Sequence, residues 1–306
     1  MNISKELSPI GVSAYCRLDH LKKTINALKN NEYAKDSNLY IFSDGPGRGY
    51  EEKVKIMRSY IDIVDGFKNV TLIKRKRNNR VYNNREGMQY LLNKYGKMIW
   101  LEEDIVTSRY FLMYMNDALN IYEHDERIIS IAGYCPPIKI RSSYSKDTFI
   151  LKRFNAWGFG TWKHKFDPFS FTIDLETYRN NIEHLRKKFS LYGKDVLDMI
   201  WREAIGDIDA LDVKVMYHQI LNDMYTVYPI KSMSLNIGHD GTGLHCGSTK
   251  KYDVQLSKKK LNLETIKKED KYIISNHKKF RNSMGNYFML NIYNKIKGKI
   301  TSINSR

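Results

Sequence analysis

The 306-residue chain has little of what would place it outside a cell or across a membrane. Its three cysteines, Cys16, Cys135 and Cys246, are odd in number and widely separated, so they suit neither a disulfide framework nor a metal-binding pair. Reduced thiols in a cytoplasm are expected. No apolar run approaches the roughly 20 residues that span a bilayer, and residues 1–7 lack the apolar core of a secretory signal. No Gly-x-Gly-x-x-Gly follows the first apolar run and no Walker lysine motif occurs, which argues against dinucleotide cofactors and P-loop chemistry. Acids are also outnumbered, 34 Asp and Glu against 51 Lys and Arg, for a formal charge of +17.

That charge is unevenly spread. Residues 250–306 hold thirteen Lys and two Arg against four acids, a net of +11, and the rest of the chain carries only +6. A basic tail suits nucleic acid, an anionic membrane surface or a phosphate-bearing substrate, and charge alone does not choose among them. At 42% hydrophobic residues the chain can bury a sizeable core.

What is present is a rhythm of short apolar runs and helical spacings. Residues 9–15 read as a strand, and Leu18, Leu21, Ile25 and Leu28 then recur at helical spacing. Strands at 39–42, 70–73, 97–101 and 128–132 alternate with helices at about 51–63, 84–95 and 110–122. This alternation predicts an α/β fold with a Rossmann-like, mostly parallel central sheet covered by helices on both faces. Beyond residue 137 the rhythm breaks: a strand at 149–151, an aromatic and glycine loop at 157–162, helices at 175–189, 195–205 and 212–221, short strands near 225–228 and 233–235, a glycine-rich loop at 236–247, and a last helix over 277–297.

The chemistry is expected at the sheet edge. The run Lys97-Met98-Ile99-Trp100-Leu101 stops on Glu102-Glu103-Asp104, and carboxylates are seldom buried without a partner. In open α/β sheets ligands gather at the carboxyl ends of strands, so these acids offer a site for a hard cation such as Mn2+ or Mg2+, although a solvated turn would leave the same pattern. Asp44 ends the second strand and Arg17 follows the first, which puts both on that edge. An acid there can accept hydrogen bonds from a base or ribose, and an arginine can fork onto a phosphate or hold an acid in place.

In order and spacing, residues 9–21, Ile41-Phe42-Ser43-Asp44-Gly45, Leu101-Glu102-Glu103-Asp104 followed by Phe111 and Met115, and Gly133-Tyr134 before Pro136-Pro137 resemble bacterial GT-A glycosyltransferases. They are most similar to a family-2-like group related to N-acetylglucosaminyltransferase I. The likeness covers residues 9–247. It implies a GT-A domain over 1–247, with a nucleotide-sugar half at 1–134 and an acceptor half at 135–247, followed by a basic, helical C-terminal extension at 248–306. It further implies that Asp104 binds the metal, with His245 or His239 as the late histidine beside it; that Glu102 and Glu103 lie by the donor ribose and sugar; and that Arg17 and Asp44 hold the nucleotide. Asp212 would be the base of an inverting transfer, with Asp207 and Asp209 as alternatives. Trp157, Gly158 and Trp162 would meet the acceptor, although such aromatics commonly pack in a core. Where the group has a glycine and leucine, this chain has Asn79 and Arg80.

The expected activity is inverting, metal-dependent transfer from a nucleotide-sugar, a UDP-sugar by preference, to a glycan or lipid-linked acceptor in surface polysaccharide synthesis. The hexosyl or N-acetylhexosaminyl donor, Mn2+ or Mg2+ and the acceptor are the expected partners. The basic, aromatic tail would touch an anionic membrane at the inner face of the cell. A sugar-1-phosphate nucleotidyltransferase would carry a glycine-rich basic loop where Tyr15-Cys16-Arg17-Leu18 stands. A nucleic-acid-binding protein would bind in a steeply salt-dependent way without Asp104, and no nucleic acid is expected.

Overall fold

The computed structural model describes residues 6–242 and 248–282. The N-terminal part of the chain is a run of βα units. Strands β1 (Ile10–Ala14), β2 (Asn38–Ser43), β3 (Asn69–Lys74) and β4 (Lys97–Glu102) are separated by helices α1 (Leu18–Lys29), α2 (Glu51–Ile61) and α3 (Arg80–Tyr95). After them come β5 (Ile105–Thr107), α4 (Phe111–Ile121), β6 (Ile128–Ala132), β7 (Thr148–Leu151) and β8 (Phe159–Trp162). Helices α5 (Leu175–Ser190), α6 (Asp195–Ala204) and α7 (Leu211–Leu221), strands β9 (Tyr225–Pro229) and β10 (Ser234–Asn236), and helix α8 (Lys271–Asn282) complete the described chain.

Eight strands form one sheet in the order β3-β2-β1-β4-β8-β6-β9-β7. It is mostly parallel, as expected, with β8 and β7 reversed. The parallel pairing of β1 with β2 and β4 brings Ala14 beside Ser43 and Ser13 beside Glu102, so three strands end at the same edge. Alternate side chains of these strands go to opposite faces. Ile10, Val12, Leu39, Ile41, Ile99 and Leu101 join a core with α1, α2 and α4, whereas Tyr40, Phe42, Met98 and Trp100 join a second with α3, α6 and α7. Both faces are therefore covered, which is why the strands read as unbroken apolar runs.

Residues 157–162, expected as a loop, instead contain β8, inserted antiparallel between β4 and β6. Residues 248–282 fold back on the core. The Ser108 hydroxyl donates to Ser257 O at 2.6 Å, and the Tyr122 hydroxyl donates to Glu264 O and accepts from Ile266 N, both at 3.0 Å. Leu261 and Ile266 are buried in the first core, and Ile273 of α8 in a third small cluster with Phe149 and Tyr228. The last helix runs over Lys271–Asn282; the rest of the expected 277–297 helix lies outside the described residues.

Candidate active site

At the carboxyl edge of β1, β2 and β4 the turns open into a cleft made of three adjoining hollows of about 420, 130 and 90 Å3. Glu102 and Arg80 line all three. The largest hollow carries the acidic triplet. Glu103 and Asp104 are buried, 5% and 6% exposed. Arg17, directly after β1, joins them: its Nε donates to Glu103 Oε1 at 2.7 Å and its Nη2 to Asp104 Oδ2 at 2.6 Å. Burial works against the Arg17 charge, but Asp104 and Glu103 more than offset it and its pKa is raised. Glu103 also accepts from Tyr15 N at 2.5 Å, and burial still leaves its pKa above the usual carboxylate range. The backbone is anchored too, since Thr24 of α1 donates to Glu103 O at 2.8 Å and Ile237 N to Asp104 O at 2.9 Å.

Glu102 points elsewhere. It accepts from Asn84 of α3 at 3.3 Å, and burial, then the neighbouring Asp104, push its pKa up to about 7. Asp44, 2% exposed, accepts from Gly45 N at 2.8 Å, Asn79 N at 3.0 Å and Asn78 Nδ2 at 3.0 Å. Its carboxylate thus braces the turn that leads into α3 while bordering the smallest hollow. Gly45 permits that brace, because a Cβ there would fall 2.3 Å from the Arg77 backbone.

The metal expectation can be tested on donor atoms. Among the described residues Asp104 Oδ1 is buried with no hydrogen-bond partner, and so is His239 Nδ1 in the wall of the same hollow. Burial lowers the His239 pKa, so the ring is neutral, the form that ligates. One carboxylate oxygen and one imidazole nitrogen fit Mn2+ or Mg2+ if substrate oxygens and water complete the shell. Among the described residues no group of three His, Cys, Asp or Glu could hold a metal unaided. His245 lies outside the described residues.

Asp212, at the start of α7, lines the hollow on the other side of Glu102 and Arg80. Its side chain is open to solvent, yet the concave walls around it desolvate the carboxyl and raise its pKa, against the pull of Val213 N and Arg153. Asp209 lines the same hollow but is taken by Arg85 at 2.5 Å and Lys214 at 2.8 Å, and Asp207 by Arg202 at 2.6 Å. Asp212 is the least encumbered of the three.

The aromatic residues divide. Trp157 lines the hollow beside Asp104, its ring edge-on to His239 with centroids 5.1 Å apart. Gly158 has φ +78 and its carbonyl accepts from Gly133 N at 2.7 Å, which turns the chain into β8. Trp162 is a correction: only 1% exposed, it packs in the core and donates from Nε1 to Leu119 O at 3.1 Å, so it does not reach the cleft. Sequence reasoning noted Arg80 only as a departure from the group's pattern. An exposed arginine at a helix start looks like solvated surface until the fold puts it beside the acids.

Fold and cleft together define a mixed α/β protein with an acid-lined cavity at the carboxyl edge of a large, mostly parallel sheet. No family model matches the chain, and no curated protein does. Among solved structures it is similar to S. aureus TarS, with a TM-score of 0.42 at 9% identity over 76% of this chain and 37% of that one. TarS 1–349 in complex with UDP gives 0.40 at 10% over 74% and 59%. A mannosyltransferase, PcManGT from Pyrobaculum calidifontis in complex with GDP-Man and Mn2+, gives 0.35 at 10% over 51% and 44%. The chain spans less than two thirds of the length of each of these neighbours.

Proposed function

We propose that the protein is an inverting, metal-dependent glycosyltransferase of GT-A type that uses a nucleotide-sugar donor, a UDP-sugar by preference. The observation that carries this reading is the arrangement of the cleft. Among the described residues a buried Asp104 with one unpartnered oxygen stands on one side of Glu102 and Arg80, and Asp212, without an ion-pair partner, stands on the other. Such a layout separates the place for a departing diphosphate from the place for a base, which in-line displacement requires.

In this reading the nucleoside lies toward Asp44 and Tyr15, and the diphosphate toward Asp104, His239 and Gly238. Asp104 and His239 would hold a divalent cation, which when bound would supply charge neutralisation for the leaving group. Arg17 keeps Glu103 and Asp104 fixed while that charge grows. Asp212 takes the proton of the acceptor hydroxyl as its oxygen bonds to the anomeric carbon, and the bond from that carbon to phosphate breaks with its electrons going to the diphosphate. General-base assistance of this kind is worth about a hundredfold to ten-thousandfold in rate. Trp157 borders the sugar space, residues 1–134 supply the donor side and residues 135–247 the acceptor side. The acceptor is a glycan or lipid-linked glycan of surface polysaccharide synthesis. The basic segment from residue 248 touches an anionic membrane surface at the inner face of the cell. Among the described residues no helix is long and apolar enough to cross a membrane.

The deciding experiment is hydrolysis of a nucleotide-sugar panel with Mn2+ or Mg2+. One donor should be turned over slowly, and Asp104→Ala should lose that turnover. A protein that neither binds nor hydrolyses any nucleotide-sugar, or an Asp104→Ala variant as active as the parent, would overturn the reading.

A further inference from the structure

The cleft has an electrostatic problem that its other residues do not solve. A nucleoside diphosphate must enter beside Glu102, Glu103, Asp104 and Asp212, four carboxylates. The nearest arginines are already committed: Arg17 to Glu103 and Asp104, and Arg85 to Asp209. Lys53 lines only the hollow beside Asp104 and lies over the Tyr50 ring, 5.4 Å from its centroid.

Arg80 is placed differently. It is exposed, lines all three hollows, and among the described residues its guanidinium has no hydrogen-bond or ion-pair partner. It stands where the nucleoside, diphosphate and acceptor spaces meet. Asn79 caps α3 by accepting from Tyr82 N at 3.0 Å and also donates its own backbone N–H to Asp44 at 3.0 Å, so the residue before Arg80 is fixed from two sides. A forked guanidinium left unpaired on a fixed backbone suits a phosphate, which it can hold through two parallel hydrogen bonds.

We infer that Arg80 binds the donor's diphosphate at its distal phosphate and stabilises the charge that builds there as the sugar leaves. This rests on the nucleotide-sugar reading above and adds to it a protein cation on the side of the leaving group away from Asp104.

The test is equilibrium binding without turnover, in EDTA so that no metal bridges the contact. UDP is compared with UMP, and GDP with GMP, for the parent chain, Arg80→Gln, Arg80→Lys and a charge control, Lys259→Gln, whose side chain lies on the exposed surface away from the cleft. The expected result is that Arg80→Gln loses about tenfold or more of diphosphate affinity, the scale of charge-assisted hydrogen bonds. Its monophosphate affinity and melting temperature should stay near the parent's, Arg80→Lys should recover part of the loss, and Lys259→Gln should change neither nucleotide by more than about twofold, as a distant screened charge would. Equal losses of mono- and diphosphate, or no loss of diphosphate with a fall only in transfer to acceptor, would overturn the Arg80 assignment and leave the glycosyltransferase reading standing. Failure of the parent to bind either diphosphate in EDTA, and again with Mn2+ added, would overturn both.

Discussion

At the residue scale, the cleft separates groups that are held from groups that are free. Asp212 has no ion-pair partner among the described residues, and desolvation by the walls of its hollow raises its pKa. A base must be deprotonated, so transfer should rise with pH through that raised value, with its acid limb displaced above the ordinary aspartate range near 3.9. Asp212→Asn should lower transfer by about a hundredfold or more while donor binding changes little. Rates measured from pH 4 to 8 check both points, and normal transfer by the variant would remove Asp212 from the role. Gly238 makes a second prediction. A Cβ there would lie 2.1 Å from Asp104 Oδ2 and 3.0 Å from Arg17 Nη1, and Asp104 is buried and cannot swing aside freely. Gly238→Ala should therefore break the Arg17–Asp104 pair and abolish donor turnover, read by the same hydrolysis assay. Residues at strand ends, such as Asp44 and the acidic triplet, were legible because the end of an apolar run marks the sheet edge. Arg80 was not, since nothing local distinguishes it from a solvated arginine, and Trp162 misled because a tryptophan near glycines suits a loop and a core equally.

At the scale of elements, the close approach of α3 to the sheet places Arg80 and Asn84 at the cleft. Glycines make that approach. A Cβ on Gly87 would meet Trp100 Cη2 at 2.5 Å and Phe42 at 3.0 Å, and one on Gly11 would meet Trp100 at 2.5 Å. Alanine is favoured over glycine inside a helix by about 1 kcal/mol. Forcing a methyl into a packed core costs about 1–3 kcal/mol, and both rings here are fully buried. Gly87→Ala should thus destabilise the protein, read as a lower midpoint in urea, whereas stabilisation would mean the helix has room to lift. The same close packing explains why β8 was hidden. Phe159-Gly160-Thr161-Trp162 is buried on both faces between β4 and β6, and Leu119 of α4 sits where a Cβ on Gly160 would come within 3.1 Å. A central strand with glycine at a close contact has no alternation to read. The three-residue strands β5 and β10 differ again: β10 falls in the run read at 233–235, whereas Ile105–Thr107, apolar as it is, was missed because three residues directly after an acidic turn are too few to read as a strand.

At the scale of the whole molecule, the βα rhythm was legible because a parallel sheet buried on both faces writes itself as apolar runs. The seating of the C-terminal segment was not, because its contacts pair residues more than a hundred positions apart, as Tyr122 with Glu264 does. That seating has a measurable consequence at His277 on α8. It is 1% exposed, neither ring nitrogen has a hydrogen-bond partner among the described residues, and burial, reinforced by Arg281 and Arg153, holds its pKa well below the ordinary value. The folded state keeps this ring neutral, whereas the unfolded chain takes up a proton near pH 6.5. The stability that His277 contributes is therefore fully present above that pH. It is lost as the pH falls from there toward the folded-state pKa, at up to about 1.4 kcal/mol per pH unit for one proton. His277→Leu keeps the apolar contacts and removes the proton, so its unfolding free energy should fall less than the parent's between pH 7.5 and 5.5. Carboxylates common to both chains cancel in that difference. Parallel stability curves for parent and variant would mean that α8 is already detached from the sheet at acidic pH, and that the basic segment is not part of the cooperative fold there.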